Sequence, residues 1–296
     1  MNTPPIELID RPSALGELLR GLERRAPGEL AVDFEAEFNL HRYGMHLCLI
    51  QLFDGSKAYL VDVVVLGLRP ELQRLFDNAW NVLMYGAQSD VVLLDYVAGM
   101  KIPRIYDVQN AAKLADYTKL GLRSVMSAEL GVELPNDKHL QRANWFRRPL
   151  SPAMQAYAAS DVLHLLELKK KLHQKVVEAG KLSDLEAMNR RVARARYVPK
   201  KHPHMQLKGA KRLTRRQRLL LRRLFDARDE AARELDLPPN SVISNRNLVE
   251  AAAAEVSRPE DLRGHREVLG RFRRDFEAAF ELFQEDERRG WKYPPR

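Results

Sequence analysis

Cysteine is almost missing from this chain: Cys48 is the only one among 296 residues. A disulfide framework and any cysteine-based zinc site are thereby excluded. No apolar run reaches the roughly 18–20 residues that a membrane span needs. The best candidate, Leu60 to Leu68, is broken by Asp62. The opening MNTPPIELID lacks a basic region followed by an apolar one, so no secretory leader is expected. Also missing are G-x-x-x-x-G-K-[ST], G-x-S-x-G and a G-x-G-x-x-G followed by an acid, which sets aside three common chemistries. His202-x-His204 has neither cysteine nor acid beside it and makes a poor zinc site. A cytoplasmic protein with no membrane contact and no obligate protein partner is the expectation.

One further absence is local. Residues 191–218 hold 11 Lys and Arg and not a single acid. Over residues 191–296 there are 26 Lys and Arg against 16 Asp and Glu, or +10; this leaves 23 against 24, or −1, for residues 1–190. A near-neutral body with a basic appendage fits a polyanionic partner, and it also fits a solvated cationic linker. The chain as a whole is 45% hydrophobic and 30% charged, a globular composition.

LAVDFEAEF, LCLIQLF and AYLVDVVVL, between Leu30 and Leu66, carry the alternation or β-branched content of strands, with Asp54-Gly55 as a hairpin signal. NVLMYGA then precedes an expected helix at Ser89–Val97, and a short strand near Ile105–Tyr106 leads into another helix. Strands first and strand–helix alternation afterwards predict a mixed sheet with helices on its faces. Ser151-Pro152 opens a helix as N-cap and first residue. Its stripe of Tyr157, Asp161, Leu165, Leu168, Leu172 and Val176 puts two polar groups at the head of an apolar line, and Gly180 ends it. Residues 191–212 read as a linker. Beyond them Thr214-x-x-Gln217 and Ser257-x-x-Glu260 fit capping boxes, Ser244 is a candidate N-cap, and about five helices are expected to 286.

Three sets of residues carry candidate chemistry. Asp33 and Glu35 lie two apart on a strand and share a face, with Glu37 next in the row. Paired hard oxygens suit Mg²⁺ or Mn²⁺, and an acidic strand face kept for solubility gives the same pattern. Asp90 sits at a helix start, where the dipole alone favours an acid. Tyr157 and Asp161, four apart, share one helix face.

Together these residues resemble the DEDD superfamily of 3′–5′ exonucleases, and the flanking sequence resembles its ribonuclease D branch. LAVDFEAEF and HLCLIQL look like that family's first two strands. The run from Lys138 through Gln141, Trp145, Arg147, Arg148, Pro149 and Leu150 to Tyr157 and Asp161 looks like its third motif. Tyr157 stands at the position of the tyrosine subclass, while the histidine subclass position is Ala156. The segment LFDARDEAARELDLPPNSVISNRNLVEAAA is similar to the helicase-and-ribonuclease-D C-terminal (HRDC) domain. Tyr85 departs from the family, which often has His there, and Glu37 adds an acid near the site.

The resemblance implies a ribonuclease H-like α/β sheet flanked by helices, followed by a small all-α HRDC-like bundle. The implied domains are 1–190 for the exonuclease, 191–212 as basic linker, 213–286 for the bundle and 287–296 as tail. It implies two divalent cations, Mg²⁺ or Mn²⁺, held by Asp33, Glu35, Asp90 and Asp161, with Tyr157 orienting the attacking water. Gln51, Trp145, Arg147 and Arg148 are the implied substrate contacts. For Trp145 and Phe146 among the arginines, stacking on bases and a packed cation–π corner both remain open. The implied activity is trimming of RNA 3′ ends to 5′-mononucleotides, with tRNA precursors or small structured RNAs as substrates. A DNA exonuclease on the same fold and a non-catalytic RNA-binding module are the alternatives.

Overall fold

A short apolar run that the strand patterns pass over, Ile6–Ile9, forms β1 in the computed structural model. The structure describes residues 4–77, 80–135 and 137–290. The helix α1 (Pro12–Arg25) follows, then β2 (Glu29–Phe38), β3 (Met45–Phe53) and β4 (Ala58–Asp62). Next come β5 (Asn81–Met84), α2 (Gln88–Ala98), β6 (Ile105–Asp107), α3 (Val108–Leu114) and α4 (Leu122–Leu130). Three longer helices complete this part: α5 (Pro152–Leu163), α6 (Leu165–Glu178) and α7 (Leu182–Ala193).

The six strands lie in the order β1-β4-β3-β2-β5-β6. β4 pairs parallel with β1 and antiparallel with β3, while β5 is parallel to both β2 and β6. The sheet is therefore mixed, as expected. Strand alternation divides β2 between two cores. Leu30, Val32 and Phe34 pack with Leu15, Leu19 and Leu22 of α1, whereas Ala31 packs on the other face with Ala111, Leu165 and Leu168. Asp33 and Glu35 fall in the row of Ala31.

AYLVDVVVL does not stay a strand throughout. β4 stops at Asp62, whose carboxylate accepts from the Val65 amide at 3.1 Å and caps a helical turn over Val63–Leu66. The stripe from Tyr157 to Val176 is interrupted at His164, between α5 and α6, yet Leu165, Leu168, Leu172 and Val176 are all fully buried.

By contacts the chain separates into two units, Met1–Glu37 with Met45–Tyr197, and Phe38–Gly44 with Val198–Arg296. The stretch 191–212 is not a free linker. α7 runs to Ala193 and buries Val192 in the first unit's core, and Ala210 is buried in the second unit's core with Met205 and Leu207 against it. The second unit is built on α8 (Arg215–Leu235), α9 (Asn245–Ala253), α10 (Arg266–Arg271) and α11 (Arg273–Arg288), plus a short turn at Pro239–Val242. Leu220, Leu224, Leu248, Phe276 and Phe280 form its centre. The Thr214–Gln217 capping box is present with both bonds, at 3.2 and 2.9 Å, and Ser244 caps α9. The Ser257 box is not. Pro259 instead sets a three-residue 3₁₀ turn whose cap position is Arg258. Of the expected tail, residues 291–296 lie outside the described residues. No helix among the described residues is long and apolar enough to cross a membrane.

Candidate active site

β2 delivers the first two acids. Burial in the sheet holds Asp33 and Glu35 well above the ordinary carboxylate range, and the neighbouring Asp90 and Asp161 charges push them further. Glu35 is steadied from the next strand: Gln51 Nε2 donates to its Oε1 at 3.2 Å. Gln51 itself is fully buried, and its Oε1 has no hydrogen-bond partner. The expected substrate contact is thus corrected to a residue that holds Glu35, because a side chain sealed in the sheet has no surface to offer a nucleotide.

Asp90 reaches the same place from α2, and a second aspartate sets it there. The chain turns sharply from β5 through Gly86, whose φ of 70° favours glycine. Asp107, at the end of β6, accepts from the Gly86 and Ala87 amides at 2.8 and 3.1 Å, and from Gln109 at 3.0 Å. Its own amide donates to Asn189 Oδ1 of α7 at 3.2 Å. Burial, followed by the Asp107 charge, raises Asp90 to about 7. Asp107 was not singled out in the sequence. Its one local signal is an aspartate at the junction of a short strand and a helix, a common N-cap. Tyr85, the departure noted above, donates from its hydroxyl to the Leu120 carbonyl at 2.9 Å.

α5 supplies the last pair. Ser151 accepts from the Met154 amide at 3.2 Å and starts the helix, so Tyr157 and Asp161 emerge one turn apart on its inner face. Burial lifts Asp161 to about 6 and the Tyr157 phenol to about 12, the latter with help from the Asp161 and Glu35 charges. Arg123 of α4 counters both shifts, because its positive charge favours the ionised phenol and carboxylate. Its Nη1 is buried without a hydrogen-bond partner. Arg123 too went unnoticed in the sequence, where an arginine on a short amphipathic helix looks like any solvated one.

Trp145 and Arg148 are corrected as substrate contacts. Trp145 is 2% exposed and packs its ring 6.3 Å from that of Tyr157, leaving no face for a base. Arg148 makes two 2.6 Å bonds to the Asp62 carboxylate and also donates to the carbonyls of Trp145, Arg147 and Cys48. Its donor fork is fully used inside the protein. Arg147 is exposed and its side chain remains open to solvent.

Four half-buried acids from β2, α2 and α5 therefore act on one another across a single site. Among the described residues no three His, Cys, Asp or Glu side chains are already drawn together as a metal cluster. The donor chemistry fits hard divalent cations: all-oxygen, anionic, and short of positive charge except for Arg123.

Comparison with known proteins adds to this geometry. Residues 6–177 match the 3′–5′ exonuclease family model, and residues 217–280 match that of the HRDC domain. The chain belongs to the 3′–5′ exonuclease family. Within that family it is 29% identical over 248 residues to ribonuclease D of Xanthomonas oryzae, covering 82% of this chain and 64% of the relative. It is 29% identical over 277 residues to the exosome complex exonuclease RRP6 of Saccharomyces cerevisiae, covering 86% of this chain and 36% of the relative. The chain thus spans less than two thirds of the length of either. Its structure resembles Escherichia coli RNase D, an exoribonuclease involved in structured RNA processing, with a TM-score of 0.73, 27% identity, and coverage of 96% of this chain and 76% of that one. An exonuclease of the ribonuclease D type depends on divalent metal.

Proposed function

We propose that this protein is a 3′–5′ exoribonuclease that removes 5′-mononucleotides from the 3′ ends of tRNA precursors or other small structured RNAs. The observation that supports the reading is the mutual influence of half-buried Asp33, Glu35, Asp90 and Asp161 beside buried Tyr157. The ribonuclease D relatives and the E. coli exoribonuclease favour RNA over DNA.

Asp33, Glu35, Asp90 and Asp161 would hold two Mg²⁺ or Mn²⁺ ions. Such ions would supply the positive charge that an in-line displacement needs at its attacking and leaving oxygens. The chain's own groups do the rest. Tyr157, with its phenol raised to about 12, keeps its proton at neutral pH and so serves as a hydrogen-bonding group that orients water rather than as a base. Arg123 brings a positive charge to the phenol, and Gln51 fixes Glu35. Water adds to the phosphorus of the last linkage, the 3′-oxygen of the preceding nucleotide leaves and takes up a proton, and the terminal nucleotide departs with its 5′-phosphate. Exposed Arg147 would meet the strand outside the site.

Matched RNA and DNA oligonucleotides, labelled at the 5′ end and digested side by side with Mg²⁺ or Mn²⁺, test the reading. The expected result is stepwise shortening from the 3′ end, faster on RNA, and abolished by EDTA or by Asp33→Ala. Persistence of activity in EDTA or in the Asp33 variant would refute the mechanism. Preferential digestion of DNA would refute the substrate.

A further inference from the structure

Outside the acidic site, the first unit carries a run of arginines that no step above uses. α7 ends in Arg190 and Arg191, and Arg194 follows one turn on. These three line an open cleft of about 460 Å³ together with Gln88. Gln88 is the first residue of α2, two positions before Asp90, so the cleft opens at the same end of that helix but on the face turned away from the Asp90 carboxylate. No acid lines it. Arg190 is 3.5 Å from Glu186, a loose exposed pair, while Arg191 and Arg194 have no side-chain hydrogen bond or ion pair among the described residues. Unpaired guanidinium groups side by side repel one another and are stabilised by a polyanion.

The same surface ends in aromatics. Tyr96, near the C-terminus of α2, and Tyr197, just past α7, touch with ring centroids 4.4 Å apart and planes tilted by 55°, and they are 46% and 36% exposed. The Tyr197 amide is tied to Asp95 Oδ2 at 2.9 Å, which fixes the pair to α2. Asp90 and Tyr96 are six residues apart on that helix, about 9 Å along its axis. On faces of α2 other than the one that bears Asp90 there is thus a cationic cleft and, further along the helix, a π-face. Both are what a single strand of nucleic acid requires, guanidinium groups for phosphates and aromatic faces for bases.

We propose that Arg190, Arg191 and Arg194 with the Tyr96–Tyr197 pair form a second binding track, which holds the RNA strand 5′ of the nucleotides engaged at the carboxylates. The proposal rests on the exonuclease reading for the direction of the strand. The track belongs wholly to the nuclease unit, so its contribution to affinity does not require the helical bundle. On this proposal the track engages only a strand that continues past α2, so a dinucleotide held at the carboxylates does not use it.

The test uses the full chain and the variants Arg191→Glu/Arg194→Glu, Arg191→Ala/Arg194→Ala and Tyr197→Ala, with thermal melting as a check on folding. Two readouts are taken: binding of a 12-nucleotide RNA and of the matched DNA in EDTA across a salt series, and hydrolysis of a dinucleotide and of the 12-mer. Loss of two phosphate contacts should flatten the salt slope by about 1.4 and weaken 12-mer affinity at low salt by about tenfold or more. Dinucleotide hydrolysis should stay unchanged. Equal losses on dinucleotide and 12-mer, or an unchanged salt slope in variants that melt normally, would overturn the track. A wild-type chain that hydrolyses no RNA, yet binds it with a slope that depends on Arg191 and Arg194, would overturn the exonuclease reading and leave the track standing. Equal binding of RNA and DNA supports the track, because phosphates and base faces are common to both.

Discussion

Substituting Asp90 by Asn should make the metal-free protein more stable at alkaline pH while removing metal-dependent activity. Asp90 lies with Asp33 and Asp161 in a site where burial and neighbouring acids penalise ionisation. Its carboxyl titrates near 7 in the fold, against an ordinary 3.8. A group bound to its proton more tightly when folded stabilises the fold below its unfolded value, and that contribution is lost as pH rises through the folded one. For Asp90 the window runs from about pH 4 to pH 7, and the difference corresponds to about 4 kcal/mol, an upper bound. Asp161, at about 6, adds a loss of the same sign over a narrower window. Asn keeps the shape and never ionises. In EDTA, wild-type melting temperature should therefore fall between pH 5 and pH 8, and Asp90→Asn should fall less and exceed wild type at pH 8. Mg²⁺ or Mn²⁺ should restore wild type at pH 8 and do little for the variant. Calorimetry across this pH range, with and without metal, reads all three effects. A wild-type melting temperature independent of pH in EDTA, or a variant no more stable than wild type at pH 8, would refute the electrostatic account of the site.

Three further outcomes separate structural from chemical roles. Tyr157→Phe should retain RNA binding but slow single-turnover hydrolysis by about 100-fold, since water without its orienting hydroxyl is misplaced; an unchanged rate would make the tyrosine a packing residue. Arg123→Met should lower kcat by about tenfold, with the RNA KM nearly constant, by freeing the Tyr157 hydroxyl; a rise in KM alone would instead mark Arg123 as a strand contact. Arg148→Met should cost about 3 kcal/mol by leaving the Asp62 carboxylate buried alone. Normal melting with a raised RNA KM would return Arg148 to the role of a substrate contact.

What could be read from the sequence followed from local physics. Two-residue spacing put Asp33 and Glu35 on one strand face, and Ser151-Pro152 with a four-residue step put Tyr157 and Asp161 on one helix face. What could not be read depends on residues far apart. Asp62 looks like a flaw in an apolar strand until Arg148, 86 residues later, is found bonded to it. Arg123 acquires a role only when α4 meets α5 at the Tyr157 hydroxyl. Basic composition marked 191–212 as a linker, because Val192 and Ala210, the residues that fix its ends to two separate cores, are isolated apolar positions with no periodicity around them. β1 escaped notice since its four residues are too few to show alternation, and only pairing with β4 makes them a strand.

Asn189 alters where the nuclease ends. Its side-chain oxygen receives both the Asp107 amide and the Asn110 Nδ2, each at 3.2 Å, and Asp107 in turn holds the turn that aims Asp90. A fragment cut where the match to the family stops, at residue 177, would keep every acid of the site and lose this anchor. Two buried donors would be left bare, at about 1–3 kcal/mol each, and Leu185 and Val192 would vanish from the cores. Such a fragment would contain the complete catalytic signature and still aim it poorly. A cut after Tyr197, the last residue of the first unit, spares the site's own scaffolding.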